Sequence, residues 1–585
     1  MTLPLRIVGL LGFLLIVCGC GGGGGSTPLS QLIYSTDWTR MTSAGGGRSQ
    51  RVSLYDGNGR LAKTVLAEVG AGGRQSYNLN DVPSGTYRLL IELYSQPTLG
   101  GVLVGRVSDY VTLSGTSTYE TVVGESVQSV TVSPSQVVIP VPQSSLLLAR
   151  GLSATGVPTF TDPATITWQA LGGVATVDGS GRVTATTAGS GSVRATHVPS
   201  GRQGSSSVQV QPFAPTTSKW TVLVFMNAAN DLYSFSTLNM NQMERVAGNP
   251  DVRFVVQWKQ TTGRYPASTF DGTRRYLVQP DQSNGIASQL VQDLGSSVDM
   301  GRPQALNNFV SWAKTYYPAE RYCLVVWNHG GGWRRGARDQ STPYAVSYDD
   351  ETGNAIQTWE LRTALNGHHF DILAWDCSLM QMMEVVYECR DFADLIVGSE
   401  ESPPGEGYPY DRVFAPFRDQ PDETSVNLSR NFVTGMLAVP EYANRKITQS
   451  VFDASKVPNL ASKIDTLAAA LIANNSSLTA TVPAIRSNSK SYGQTNVRYY
   501  RDLDDVCQRL ISGAGIPAVV NAATQVRGAL AQARIWEGHN ANSAGSNGVS
   551  IDFSPSAVYV GAAADYARVQ FAIDTRWDDW LAIAP

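Results

Sequence analysis

FDILAWDCSLMQMMEVVYE, residues 370–388, is the stretch from which the fold of the larger half of this chain is read. Phe370 to Trp375 is an apolar run of strand length, and Asp376-Cys377-Ser378 follow it. From Leu379 to Tyr387 the pattern becomes helical. A strand that ends in nucleophile-type residues and feeds a helix puts them at the carboxyl edge of an α/β sheet, beside a helix N-terminus that favours an anion. A second apolar run, YCLVVWN at 322–328, ends in His329-Gly330-Gly331-Gly332-Trp333. A His at one strand end and a thiol or hydroxyl at the next make a candidate general base and nucleophile.

Working outward, strands and helices alternate from residue 219 on. WTVLVFM (220–226) and VRFVVQW (252–258) are strand runs, and 231–246 is a helix with Leu232, Phe235, Leu238 and Met243 as its apolar residues. Further helices are expected at 303–317, 358–365 and 380–390. Strand runs that are apolar throughout, separated by helices, predict a mainly parallel sheet covered on both faces.

At 585 residues the chain is too long for one core. Its net charge is −4 and no basic block is present, which argues against nucleic acid as a partner. Residues 1–20 read as a secretion signal, with Arg6 in the n-region and an apolar stretch at 7–17 too short to span a bilayer. Val17-Cys18-Gly19-Cys20 before a Gly/Ser tether (21–29) resembles a bacterial lipoprotein signal, with Cys20 as the acylated residue. Export to the bacterial cell envelope on a lipid anchor is expected, with secretion of a soluble form as the alternative.

Residues 30–125 alternate in strand fashion (RVSLYD, KTVLAEV, TYRLLIELY, GRVSDYVTL) between turns such as Asp56-Gly57-Asn58-Gly59, and read as a small β-sandwich. Residues 126–212, with ATITWQA around Trp168 and the Asp178-Gly179-Ser180-Gly181 turn, resemble a bacterial immunoglobulin-like group 2 domain. Such modules serve as spacers or adhesive units. A Pro-containing linker, 213–218, leads to the α/β domain at 219–585. Beyond the signal the cysteines are Cys323, Cys377, Cys389 and Cys507, so the β modules have no disulfide framework, and no cluster has zinc-ligand spacing. Cys323 and Cys507 read as core residues.

The blocks TVLVFMNAANDLYSFSTLNMNQMERV, WNHGGGW, DDETGNAIQTWELRTAL, DILAWDCSLMQMMEVVYECRDFADLIVGSEESPPGEGYPYD and GSNGVSIDFSP, in that order over 219–585, resemble the clostripain family of cysteine peptidases. The resemblance implies a caspase-like α/β fold, cleavage after Arg or Lys, and a His and Cys pair with the amide after the His in the oxyanion hole. It places the catalytic His at His329, the oxyanion amide at Gly330, and the acidic group that recognises the basic substrate side chain at Asp376. Residues 399–401 and 405–410 match the loop that helps wall that site. It also makes calcium a possible cofactor, for which Asp349-Asp350-Glu351 are the acidic candidates. Arg334, Arg335 and Arg338 are candidate self-cleavage sites.

The chain departs from the family at the nucleophile. The family reads Phe-Asp-Ala-Cys-Leu-Met where this chain reads Trp375-Asp376-Cys377-Ser378-Leu379-Met380. Ser378 therefore falls on the nucleophile position and Cys377 on the neighbouring Ala. Successive strand side chains point to opposite faces, so if Asp376 and residue 378 face one way, Cys377 faces the other. Three readings stand open. Cys377 acts as a displaced thiolate, Ser378 acts as a hydroxyl nucleophile, or the domain binds basic peptides without cutting them. The expected protein is an exported, multidomain chain: two immunoglobulin-like β-sandwiches followed by an α/β domain. It is an endopeptidase for peptides containing Arg or Lys, or alternatively a pseudopeptidase or adhesin.

Overall fold

The structure is a computed structural model describing residues 29–38, 49–57, 59, 61–68, 73–212, 215–333, 346–493 and 499–585. The signal-like segment with Cys20, and Arg334, Arg335 and Arg338, lie outside the described residues. The chain divides into two compact units. One is drawn from residues up to Gly57, Leu61–Val130 and Arg150–Thr165, and the other from Asn58–Arg60, Thr131–Ala149 and Ile166–Pro585.

The first unit is β-rich. Leu61–Glu68, Ser49–Tyr55, Gly85–Tyr94 and Leu103–Leu113 form an antiparallel sheet in that order. Tyr87, Leu89 and Ile91, at every second position of one strand, share a core with Leu32 and Tyr34 of Leu29–Asp37 and Leu79 of Arg74–Pro83. Leu90 and Glu92, which point to the other face, are buried as well, so the middle of this strand is covered on both sides. The sheet holding Leu29–Asp37 continues through Thr116–Val122 to Pro158–Thr159, Leu148–Leu152 and Ser129–Ser133. Strands from both sides of residue 125 thus share one sheet.

The second unit opens with two smaller sheets. One orders Ile166–Leu171, Gly189–His197, Arg202–Gln211 and Gln136–Pro140, and the other Ser144–Leu146, Arg182–Ala185 and Ala175–Val177. Trp168 lies in the first of these strands, and the Asp178 carboxylate closes the turn before Arg182 by accepting the Ser180 and Arg182 amides.

A nine-stranded sheet organises the rest: β1 (Ser218–Asn227), β2 (Val252–Gln260), β3 (Gly272–Leu277), β4 (Gln289–Gly295), β5 (Ala319–Trp327), β6 (Phe370–Asp376), β7 (Ala393–Gly398), β8 (Thr448–Asp453) and β9 (Arg534–His539). Their order is β4-β3-β2-β1-β5-β6-β7-β8-β9. β2, β1, β5, β6 and β7 run parallel, whereas β3, β4, β8 and β9 join antiparallel. The sheet is therefore mixed rather than mainly parallel. The apolar-run signal finds the doubly covered centre, but β4 is half-exposed along most of its length and carries no such run.

The central strands divide two cores by alternation. Leu223, Phe225, Leu324, Val326, Leu373 and Trp375 face one layer, and Val222, Val224, Cys323, Val325, Ile372 and Ala374 face the other. Each Val, Leu, Ile or Phe among them contributes on the order of 1.5–3 kcal/mol on burial.

Two helices depart from the expectation. α1 (Tyr233–Val246) buries Ser236, Asn239, Met240, Asn241, Met243, Glu244 and Val246, while Leu238 is exposed. Its polar face is buried because it is bonded: Trp327 Nε1 donates to Asn239 Oδ1 at 2.7 Å, and Asn239 Nδ2 donates to the Glu406 carbonyl at 3.0 Å. The helix expected at 380–390 begins only at Met383, running Met383–Cys389. Ser378 is followed by a turn in which Leu379 takes φ +63, so no helix N-terminus lies at Asp376-Cys377-Ser378. The turn is held by Leu379 N donating to the Glu401 carbonyl (3.3 Å) and Gln381 N to the Ser399 carbonyl (3.1 Å). These partners are remote in sequence and override the local helical pattern.

Candidate active site

The site forms where β1, β5 and β6 reach their carboxyl ends. Trp327 is in register with Asp376, and the Asn328 amide donates to the Asp376 carbonyl at 3.3 Å. Carried forward, this register brings His329-Gly330 alongside Cys377-Ser378. The approach is close. A Cβ added at Gly330 would lie 2.3 Å from the Ser378 carbonyl oxygen and 2.9 Å from Cys377 Cβ. Only glycine fits there, which explains the residue after the His independently of any chemistry.

The faces are resolved. Cys377 packs in the same core as Leu373 and Trp375, is 2% exposed, and its Sγ–H donates to the Val326 carbonyl at 3.1 Å. Burial, with the Asp376 carboxylate beside it, pushes its thiol well above the ordinary range. Burial and a raised pKa both disfavour the thiolate form that attacks. Ser378 is half-buried, and its Oγ forms no hydrogen bond among the described residues. The other cysteines, Cys323, Cys389 and Cys507, are buried and free of disulfides.

His329 has a partner that sequence reading missed. Its Nε2 lies 2.5 Å from Asp231 Oδ1, just before α1. The His329 bond is the largest of the effects holding the Asp231 carboxyl below its usual range, so the carboxylate accepts and Nε2–H donates. That fixes the proton on Nε2 and leaves the Nδ1 lone pair free to take one. His329 and Ser378 are not hydrogen bonded to each other here, a geometry that often tightens only around substrate. The Gly330 amide, in a buried residue, donates to no partner among the described residues, which suits it to an oxyanion. The signal for Asp231 was its place at the carboxyl end of β1, the same sheet edge as His329.

The glycine loop after His329 is braced by Thr358 and by two residues near the far end of the chain, Tyr500 and Asp552. Tyr500 Oη donates to the Gly331 carbonyl (2.9 Å), Thr358 Oγ1 to the Gly332 carbonyl (3.2 Å), and Trp333 Nε1 to Asp552 Oδ2 (2.9 Å). Asp552 N in turn donates to Glu384 Oε1 (3.0 Å), whose fully buried carboxyl is pushed up to about 8 by burial and by Asp552.

Asp376 faces the opposite layer from Cys377, among Tyr408 and Tyr410. Its Oδ1 accepts the Tyr408 amide at 2.9 Å and its Oδ2 the Tyr410 hydroxyl at 3.0 Å. Burial pushes its carboxyl up to about 7, against the lowering effect of those two bonds. Gly407, at φ +66, passes so close that a Cβ would sit 2.6 Å from Asp376 Oδ1. Residues 407–410 thus wall this carboxylate. Glu400 and Glu401 are turned elsewhere: Glu400 accepts the Gly548 amide, and Glu401 accepts the Ser402 and Gly493 amides beside Lys446.

The acidic loop 349–351 is occupied by cations of the chain itself. Lys259 Nζ, fully buried, lies 2.8 Å from both Asp349 Oδ2 and Glu351 Oε2 and donates to the Val298 carbonyl at 2.9 Å. Asp350 pairs with Arg264 at 3.3 Å and accepts the Tyr265 hydroxyl. These carboxylates are spoken for, and the loop does not fit a bound calcium ion. Among the described residues no group of three or more His, Cys, Asp or Glu is placed to hold a metal.

With this geometry in place, comparison with known proteins identifies the α/β half. The profile of the clostripain family matches residues 224–578. The chain belongs to the clostripain family. It is 26% identical over 305 residues to clostripain of Hathewaya histolytica, an alignment that takes in 44% of this chain and 57% of that protein. The chain thus spans little more than half the length of that curated relative. Among solved structures, an inactive zymogen C11 protease from Parabacteroides distasonis is 19% identical, covering 62% of this chain and 99% of that one at a TM-score of 0.48. A secreted C11 cysteine protease from Bacteroides thetaiotaomicron, in complex with an irreversible peptide inhibitor, is 20% identical, with coverages of 62% and 99% and a TM-score of 0.47.

Proposed function

We propose that this chain is an exported endopeptidase of the clostripain family that cleaves after Arg or Lys, with Ser378 rather than a cysteine as nucleophile. The observation that carries this reading is the Asp231–His329 pair at 2.5 Å beside the strand end that bears Ser378. A Cys-His dyad works without a third group, whereas a hydroxyl needs an oriented base, and here an acid orients it. In the acylation step Ser378 Oγ bonds to the scissile carbonyl carbon while its proton passes to His329 Nδ1. The carbonyl electrons move to the oxygen, which the Gly330 amide receives. Collapse breaks the C–N bond, the amine leaves with the proton from His329, and water then hydrolyses the ester by the same route. Asp376 receives the guanidinium or ammonium group of the residue before the cut, an ion pair of the kind Arg favours.

The signal-like residues 1–20 support export. Anchoring through Cys20, with the β-rich segment as a spacer, completes the proposal. A second reading, a peptide-binding pseudopeptidase, has one observation in its favour: Ser378 Oγ is not bonded to His329. Turnover of fluorogenic peptides ending in Arg, Lys or Leu decides between them. Release from the Arg and Lys peptides alone is expected. No release, with retained binding of the Arg peptide, would establish the pseudopeptidase.

A further inference from the structure

Asp231 and His329 lie just beyond the carboxyl ends of strands β1 and β5, and each follows an asparagine. Both asparagines hang on one residue, Tyr348. Asn328 Nδ2 donates to the Tyr348 carbonyl at 3.1 Å and Asn328 Oδ1 accepts the Tyr348 amide at 2.8 Å. Asn230 Nδ2 donates to the same carbonyl at 3.1 Å. Asp350 N donates to the Ala229 carbonyl at 2.9 Å, and Asn227 Nδ2 to the Ser347 carbonyl at 3.2 Å. Segment 347–350, from the strand Val346–Asp349 and the first residue of its turn, is therefore the common reference for both members of the His–Asp pair.

That segment is fixed by the buried ion cluster. Asp349, fully buried, gives Oδ2 to Lys259 Nζ and to the Met300 amide (3.0 Å), and Oδ1 to the Glu351 and Thr352 amides. Lys259 lies at the end of β2, opposite Asn227 in the sheet register. Its ammonium has three oxygen partners from two segments: Asp349 Oδ2, Glu351 Oε2 and the Val298 carbonyl. A compact cation enclosed by two carboxylates and a carbonyl is the arrangement a protein uses to organise a loop around a hard metal ion.

We infer that Lys259 is a positioning residue for the reaction proposed above: its caged ammonium is an internal cation that fixes segment 347–350 and thereby sets Asp231 against His329, with no divalent ion required. This rests on the peptidase reading for its catalytic consequence, but the cage can be tested apart from it. Lys259 touches neither substrate nor reacting atoms. Removing its charge leaves Asp349 buried and unpaired, which unsettles the segment and misplaces the His–Asp pair. A displacement of 1 Å at such a pair costs about a hundredfold in rate.

The experiment uses the full chain. In Lys259→Met, kcat on an Arg-terminated peptide is expected to fall about a hundredfold with KM within about twofold. Wild type is expected to be indifferent to EGTA and to added calcium. In Lys259→Ala, propylammonium is expected to restore part of kcat through the half-open Glu351 side of the cage. If the Lys variants do not fold, Glu351→Gln serves instead, since Glu351 is partly exposed, and the same loss in kcat of smaller size is expected. Hydrogen exchange provides the readout independent of turnover: the amides of Asn328, Tyr348 and Asp350, which are hydrogen bonded in wild type, open in Lys259→Met while those of the sheet built on Gly189–His197 stay protected. Wild type without turnover, but with that exchange pattern, would sink the peptidase reading and keep the clamp. Loss of wild-type protection or activity in EGTA, restored by calcium, overturns the inference, as does a Lys259→Met protein with wild-type exchange and kcat.

Discussion

Replacing Asp231 by Asn removes the charge that faces His329 while keeping an oxygen able to accept from Nε2. Its effect can be worked from the geometry. At an N···O separation of 2.5 Å, the attraction between a carboxylate and the imidazolium that forms in the transition state is about 1.7 kcal/mol in a water-like dielectric and about 7 kcal/mol at an effective dielectric of 20. The Asp231 side chain is 70% exposed and that of His329 26%, so the value lies near the lower limit. We expect a loss of about 2 kcal/mol, or roughly 30-fold in kcat. KM should hold, because the imidazolium exists only in the transition state. The assay is steady-state cleavage of an Arg-terminated peptide amide by wild type and Asp231→Asn at two salt concentrations. The difference should narrow at high salt, since exposed charges are screened. A variant within threefold of wild type, or one whose loss lies in KM, would refute the role given to Asp231.

Further predictions concern three other residues. Gly330→Ala drives a methyl to 2.3 Å from the Ser378 carbonyl, so the variant should unfold about 1–3 kcal/mol more easily in urea and lose roughly 10²–10³ in kcat as the amide moves. Asp376→Asn should lower kcat/KM for Arg and Lys peptides by about a hundredfold while sparing an uncharged peptide, because a hydrogen bond to a charged group is worth about 1.5–3 kcal/mol. Asp376 gains its charge as pH rises through about 7, so KM for the Arg peptide should fall across that pH in wild type and stay flat in the variant. Glu384, pushed up to about 8 from 4.5, keeps in the native state a proton that the unfolded chain releases, so stability should decline from about pH 4.5 to 8 by on the order of a few kcal/mol. Glu384→Gln should gain stability relative to wild type between pH 5 and pH 8 in urea unfolding.

The parts of the fold legible in the sequence are those set by burial on both faces. β1, β2, β5 and β6 announce themselves as apolar runs, and the period of two along Leu373, Trp375 and Cys377 already turns Cys377 away from Asp376. The half-exposed edge strand β4 carries no such run. The turn at 378–382 is built from bonds to residues 399 and 401 and a bridge from Met382 to Ser550, so its apolar, methionine-rich sequence reads as helix. The polar face of α1 is buried by partners that lie far along the chain, Trp327 and Glu406. Asp231 and Lys259 were hidden for the same reason. Each is a charged residue at an element end whose meaning comes from a partner about ninety residues away.

The central claim is that the acyl group is carried by Ser378 and that Cys377 is a core residue. The direct test is to treat wild type, Ser378→Ala and Cys377→Ala with a phosphonate ester bearing an Arg-like side chain, and to locate the adduct by peptide mass spectrometry. We predict an adduct on Ser378 in wild type and in Cys377→Ala, and none in Ser378→Ala. An adduct on Cys377, or labelling that survives in Ser378→Ala and is lost in Cys377→Ala, would contradict the account.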